Sequence, residues 1–251
     1  FDRLAEVEAA HWWARGMWRL AAHWLTAALK GRRGLRALDV GCGTGQTVVR
    51  LARRPEIARV VGLDPSPEAL AHARRRHDSP LVLGSALDVP FGDAEFDLVT
   101  CFDVLQHLPE RTDRRAAAEL RRVLRPGGVA LVRSNARVGR RADRSGYRLD
   151  ELVEVFGSSG FAVRRASYAN CLPALAQELR GRWRSHSNRR GHPSGGGLQI
   201  RMPPPWINRL MSGVATIEAA IAGRFAAPLP FGHSTMVLAV VTEPSIFPYS
   251  E

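Results

Sequence analysis

LDVGCGTGQ, residues 38–46, joins a short apolar run to a G-x-G-x-G turn, and TVVRLARR (47–54) opens a helical pattern directly after it. Glycine suits such a strand-to-helix turn for two reasons. Some positions need dihedrals that a side chain obstructs, and a ligand must approach the backbone closely. The N–H groups at the start of the helix can meet polar ligand atoms. The next strand pattern, RVVGLD (59–64), ends in an acid, and Asp64 lies 19 positions after Gly45. A carboxylate at that edge of a sheet can accept both hydroxyls of a ribose. The nicotinamide fingerprint needs a third glycine, but Gly45 is followed by Gln46, Thr47 and Val48, so the ligand need not be a nicotinamide dinucleotide. The plain alternative is a tight turn without a ligand, with Asp64 serving the following helix.

On either side the pattern is regular. The first thirty residues read as helix, with Trp12, Trp13, Leu20, Trp24 and Leu25 on one face, and break at GRRG (31–34). LRALDVG (35–41) is a strand. SPEALAHARRR (66–76) is a helix with Ser66 placed to cap it and Pro67 in its first turn. LVLG (81–84) and FDLVTC (96–101) are strands. A helix from about Arg111 to Leu124 stops at the RPGG turn (125–128), before strand VALVRS (129–134). YRLDELVEVFGSSG (147–160) continues as helix and FAVRRASY (161–168) as strand. Residues 169–232 break the rhythm with the polar, glycine-rich 180–197 segment, expected to be mobile, and a helix from Trp206 to Arg224. STMVLAVVT (234–242) is a last strong strand. Strands alternating with helices of this length mean βαβ units and a parallel sheet covered on both faces. The economical reading is one α/β domain with a helical front and a long insertion before its final strand.

The chain has 251 residues, 45% hydrophobic and 24% charged, the composition of a globular protein with a proper core. No stretch reaches the roughly 18 uninterrupted apolar residues of a membrane-spanning helix. The front, FDRLAEVEAAHWWARG, has no apolar run of the kind a retained signal peptide carries. Cys42, Cys101 and Cys171 form no C-x-x-C pair, which argues against a disulfide frame or zinc site and for the reducing cytoplasm. A net charge of +12 favours acidic partners, nucleic acid among them. Yet Lys30 is the one lysine among 36 basic residues, a bias that a GC-rich genome would write everywhere.

DVGCGTG (39–45), Asp64 closing the second strand, the FDLV strand (96–99) and the LRPGG turn (124–128) together resemble a class I S-adenosylmethionine-dependent methyltransferase over most of residues 35–168. Glu8, His11, Trp12 and Trp13, with Glu218 ahead of Pro230, Phe231, Gly232 and Ser234, are similar to a bacterial subgroup found with polysaccharide and secondary-metabolite genes. The resemblance implies a Rossmann-like seven-stranded, mostly parallel sheet with its last strand antiparallel and helices on both faces. It implies a helical cap (1–34), a cofactor-binding core (35–168), a helical lid (169–232), and a final strand with tail (233–251). The cofactor implied is S-adenosyl-L-methionine, leaving as S-adenosyl-L-homocysteine. Asp39, Gly41, Cys42, Gly43 and Gly45 would surround its methionine part, and Asp64 would hold the ribose. Pro65, Ala86 and Leu87 would flank the adenine, with Phe102 and the Cys101 backbone closing over the sulfonium. The family usually has Asp where this chain has Ser85, so either the Ser85 hydroxyl or nearby Asp88 would meet the adenine amino group.

Methyl transfer from a sulfonium needs an aligned nucleophile, and a hydroxyl acceptor must also lose a proton, a task that suits histidine. His107, in FDVLQHLP (102–109), follows the fourth strand and either takes that proton or packs its turn. The family commonly shows Glu where Gln106 stands. His11, beside Trp12 and Trp13, either faces the site or buries a helix; Trp12 is the candidate for the substrate side. His233, inside PFGHS, either contacts substrate or sits in a surface turn. Tyr147 matches a subgroup tyrosine, and RSNAR (133–137) places Arg133, Asn135 and Arg137 where the subgroup is more apolar, suiting an anionic or carbonyl-bearing substrate. No His-x-x-x-His pair or carboxylate trio argues for a metal.

Three functions follow. The first is a small-molecule methyltransferase, acting at oxygen before nitrogen or carbon, on a free, acidic or carrier-protein-tethered substrate. The second is a nucleic-acid methyltransferase, against which CFDV (101–104) stands where base-methylating enzymes carry an N/D-P-P-Y-like tetrapeptide. The third is a protein that binds the cofactor and steers another reaction or regulates a partner.

Overall fold

The computed structural model describes residues 7–137, 146–172, 174–175, 202–224 and 228–242. Seven strands form one sheet: β1 (Leu35–Val40), β2 (Ile57–Asp64), β3 (Leu81–Leu83), β4 (Phe96–Phe102), β5 (Leu124–Asn135), β6 (Phe161–Ala169) and β7 (Ser234–Val241). The helices are α1 (Trp12–Ala28), α2 (Gln46–Ala52), α3 (Pro67–Arg74), α4 (Asp113–Val123), α5 (Leu149–Ser158) and α6 (Pro205–Arg224), with a 3₁₀ turn at Leu105–His107. Strand order is β3-β2-β1-β4-β5-β7-β6. β1 to β5 pair in parallel, and β7 runs antiparallel to both neighbours, β5 and β6. This is the expected mostly parallel α/β sheet. The order reverses between β1 and β4, and in open α/β sheets that switch point opens a crevice at the strands' carboxyl ends.

The central strands are buried on both faces. In β4, Phe96 to Cys101 are all buried, which is why FDLVTC reads as a continuous apolar run. Alternate residues feed two cores. Leu38, Val40, Val99, Val132 and Val237 face α4 and α5, where Leu120, Leu152 and Phe156 cover them. Ala37, Leu98, Leu131, Met236 and Leu238 face α1, α2, α3 and α6.

Helix α1 is made by its apolar spacing. Met17, Leu20, Ala21, Trp24 and Leu25 are buried on one stripe. It does not run through the first thirty residues, as the sequence suggests. Residues 7–10 form a separate helical turn, and the chain is extended at His11 (φ −67°, ψ 135°) before α1 begins. The His11 side chain caps the new helix, accepting the Trp13 N–H at 3.2 Å. The expected RPGG turn is present, but inside β5. Leu124 pairs with Phe96 and Val129 with Leu98, so residues 125–128 bulge out of the ladder, Gly127 at φ +72°.

α6 lies on the same face as α1, and the two run parallel. Asn208 meets Trp12 near one end, while Trp24 donates to the Ala222 carbonyl near the other, at 3.4 Å. Gly16 permits the approach, since a Cβ there would sit 2.6 Å from that of Ala215. Glu218, buried in α6, accepts the N–H groups of Cys171 and Leu172 at 3.0 and 3.4 Å. Gly232 lies so close to Ala169 that a Cβ would meet its carbonyl oxygen at 2.1 Å. The 180–197 segment and the tail after 242 lie outside the described residues. Among the described residues no helix is long and apolar enough to cross a membrane.

Candidate active site

The glycine turn sits at the carboxyl end of β1, at the switch point. Gly41, Gly43 and Gly45 all have positive φ, 72°, 52° and 82°, which is why the loop needs glycine. Gly41 and Gly45 are hemmed in: a Cβ would meet Val104 Cγ2 at 2.2 Å in one case and His77 Nε2 at 2.4 Å in the other. At Gly43 nothing lies within 4 Å of the same position, so the middle of the loop is open. Asp64 ties this loop to the next. Its Oδ2 accepts the Gly43 N–H at 2.8 Å and its Oδ1 the Ser66 N–H at 2.9 Å. A carboxylate has about four lone-pair sites, so two remain for hydroxyl donors.

Asp39 is buried one residue before the end of β1, and its Oδ1 accepts the Thr100 hydroxyl at 2.6 Å. Burial pushes its pKa up to about 7. The Thr100 bond opposes that rise, and the nearby Glu8 and Asp64 charges add to it. Burial also raises the thiols of Cys42 and Cys101, which keeps both protonated and unreactive. On the far side of the loop, Pro65 is exposed, Ala86 buried and Leu87 half-buried. The Ser85 hydroxyl accepts the Leu87 N–H at 3.1 Å, and Asp88 is exposed beside it.

Across the switch point β4 ends at Phe102, and Asp103 takes the left-handed conformation (φ 59°). Arg133 on β5 forms a two-pronged ion pair with Asp103, its Nε 3.1 Å from Oδ1. Its guanidinium lies between the rings of Trp13 and Phe102, 4.9 and 4.8 Å from their centres. Arg137 pairs with Glu151 at 2.8 Å and donates to the Gly146 carbonyl. Both guanidinium groups therefore already hold protein carboxylates. Tyr147 is half-buried; burial, with the Asp113 carboxylate it hydrogen-bonds, raises its pKa to about 12. Its backbone N–H donates to the Asn135 carbonyl at 2.9 Å.

Gln106 explains itself here. Its Oε1 accepts the Ser134 hydroxyl at 2.6 Å and the Asn135 N–H at 3.1 Å, fastening the 3₁₀ turn to the end of β5. His107 follows in that turn and is exposed. His11 is 7% exposed and its pKa is lowered by burial. Its Nδ1 accepts the Trp13 N–H, so taking a proton there would break the cap of α1. His233 is half-buried, and its carbonyl accepts the Ala136 N–H at 2.9 Å. Trp12 is half-buried, its ring 5.3 Å from that of His11.

Glu8 brings a connection that the sequence pattern contained but did not interpret. Its carboxylate accepts the hydroxyl of Thr44, inside the glycine loop. Arg50 donates to the Glu8 carbonyl at 3.0 Å, and Arg76 to the Thr44 hydroxyl at 3.1 Å. Among the described residues no group of three His, Cys, Asp or Glu is placed to hold a metal ion.

The open middle of the loop, its N–H groups and two buried acids fit a cofactor with a ribose and a cationic end. Residues 38–132 match the methyltransferase-domain family. Over 148 residues the chain is 33% identical to the demethylmenaquinone methyltransferase of Staphylococcus carnosus, covering 56% of this chain and 60% of that one. It is 41% identical over 109 residues to the fatty-acid O-methyltransferase of Mycolicibacterium smegmatis, covering 42% and 39%. The chain thus spans 60% or less of the length of these relatives. In fold it resembles a chain of the solved "complex between the Haloferax volcanii Trm112 methyltransferase activator and the putative methyltransferase": TM-score 0.60, 20% identity, covering 96% and 95% of the two chains. The matched stretch, residues 38–132, runs from the middle of β1 into β5 and carries the glycine loop, Asp64 and the end of β4, and S-adenosylmethionine is the cofactor that this methyltransferase-domain match supports.

Proposed function

We propose that this chain moves the methyl group of S-adenosylmethionine to a small-molecule acceptor, at oxygen before nitrogen or carbon. The observation that carries the reading is the Asp64 carboxylate, bonded to the Gly43 N–H across an open glycine loop. The bound cofactor supplies an electrophilic methyl group on a sulfonium. The chain's residues bind, orient and dehydrate. Asp64 accepts the ribose hydroxyls, Asp39, Cys42 and the three loop glycines line the methionine part, and Pro65, Ser85, Ala86 and Leu87 enclose the adenine. Cys101 and Phe102 close the sulfonium end. Trp12, Arg133, Asn135 and Tyr147 form the acceptor side; Arg133 would bind an anionic acceptor only by giving up Asp103. Arg137, held by Glu151, sets the edge of that side. An acceptor hydroxyl that took this methyl group would have to lose its proton, which a side chain at the carboxyl edge of the sheet would take up. We place proton uptake on His107, which is exposed at the carboxyl edge of β4, rather than on His11, whose Nδ1 caps α1. His233 is the second candidate, at the neighbouring end of β7.

The names of the two relatives favour acceptors with an oxygen nucleophile or an extended apolar body. A bacterial natural-product or sugar substrate, free or carried by an acidic carrier protein, fits the net charge of +12, and a cytoplasmic setting fits the free cysteines. The test is calorimetric titration with S-adenosylhomocysteine of the parent and Asp64→Ala, followed by a mass-spectrometric screen of phenols, carboxylic acids and sugars. Binding by the parent, its loss in the variant and a methylated product support the reading. A folded parent that binds nothing refutes it, and binding without any methylated product favours a cofactor-binding protein with another role.

A further inference from the structure

Thr44 lies between Gly43 and Gly45, fully buried, in the part of the loop that faces the methionine end in the function proposed above. Two side chains reach its hydroxyl. Arg76, after α3, donates to it at 3.1 Å and to the Gln46 side chain at 2.6 Å, which ties the loop to the end of α3. Glu8, in the helical residues 7–10 that precede α1, accepts a hydrogen bond from the same hydroxyl. That turn has its own anchor. Arg50, on the helix that the glycine loop opens, donates to the carbonyls of Glu8 and Ala14 at 3.0 and 3.5 Å. The extended backbone at His11 separates residues 7–10 from α1, so these bonds, rather than continuity with α1, tie them to the glycine loop.

We propose that Glu8 is a positioning residue that latches the N-terminal turn onto the glycine loop and closes the amino-acid end of the cofactor site. This rests on the methyltransferase reading and deepens it. The latch acts on the amino-acid end alone, because its partner is Thr44, while the ribose and adenine groups are met from Asp64 and the Ser85–Leu87 turn. Burial raises the Glu8 carboxyl against the Thr44 bond and the Arg76, Arg133 and Arg50 charges, which lower it. With Asp39 beside it, a second acid in this space gains from a ligand's ammonium group.

The test compares two ligands, S-adenosylhomocysteine and 5′-methylthioadenosine, which keeps the adenosine and thioether but lacks the amino-acid end. In calorimetry, Glu8→Ala is expected to weaken S-adenosylhomocysteine by roughly tenfold or more, the scale of a lost charge-assisted hydrogen bond, and to leave methylthioadenosine within about twofold. Glu8→Gln, still an acceptor for Thr44, recovers much of the loss. Hydrogen exchange on the unaltered protein gives a second reading that needs no variant: amides of residues 7–17 slow with S-adenosylhomocysteine and not with methylthioadenosine. Equal weakening of both ligands, or of neither, overturns the latch while the cofactor site stands. A folded parent that binds neither ligand overturns the cofactor reading and the latch together.

Discussion

Asp39 is an acid kept in a place that disfavours its charge, and that has a measurable consequence. Its folded pKa of about 7 lies above the ordinary 3.8, so between these values the folded protein holds a proton that the unfolded chain has released. The contribution of this group to stability is therefore largest at low pH and falls as pH rises through that window, by at most about 1.4 kcal/mol per pH unit. Urea unfolding of the ligand-free protein between pH 4.5 and 7.5 should show the decline, and Asp39→Asn should flatten it. Identical slopes in parent and variant would mean that Asp39 is ionised throughout. Asp64 also holds the loops in place, its two oxygens accepting the Gly43 and Ser66 N–H groups. Asp64→Ala leaves two loop donors unpaired and is expected to cost about 1–3 kcal/mol of stability as well as cofactor affinity. A variant that lost affinity at full stability would assign Asp64 to the ribose alone.

The strands and helices of the sheet were legible because each carries its own local signature. Six buried residues in succession mark β4, Ser66 accepts the Ala69 N–H at the start of α3 as its position suggests, and the left-handed glycines fall where the turn needs them. What sequence could not show was the pairing of α1 with α6, which joins residues nearly two hundred positions apart. Nor could it show that Glu8 reaches Thr44, or that Arg133 is already clamped by Asp103 and two rings, since each contact is made by tertiary packing. The helix pair offers a paired test. Gly16→Val drives a branched side chain into Ala215, where even a Cβ would lie 2.6 Å away, and should destabilise by about 1–3 kcal/mol. Gly213, on α6, is exposed with nothing within 4 Å of a built Cβ. Gly213→Ala should stabilise by about 0.5–1 kcal/mol through helix propensity alone. If both changes had the same sign, close packing of α1 on α6 would not be what holds this layer.

In the proposed function the cofactor cradle is assembled from chain segments that lie far apart in sequence: residues 7–10, the β1 loop, the end of β2, the 85–87 turn and the end of β4. The sheet that carries them takes β7 between β5 and β6, so the last described strand is what joins the edge strand β6 to the rest. A core of residues 35–168 would leave one edge of β5 and of β6 unpaired and would strip α1 and α6 from the face that α2 and α3 also cover. The whole should accordingly unfold as one cooperative unit rather than as cap, core and lid in turn. A ligand that binds only the assembled cradle must then stabilise all of it. S-adenosylhomocysteine at a hundred times its Kd should add about 2.7 kcal/mol, and for a chain of this size that raises Tm by about 5–10 °C. Scanning calorimetry should show one transition moving as a unit, with little shift for Asp64→Ala at the same ligand concentration. A second transition that ignores the ligand would mean that α1 and α6 form a separately stable layer, and the cradle would then owe its shape to the sheet alone.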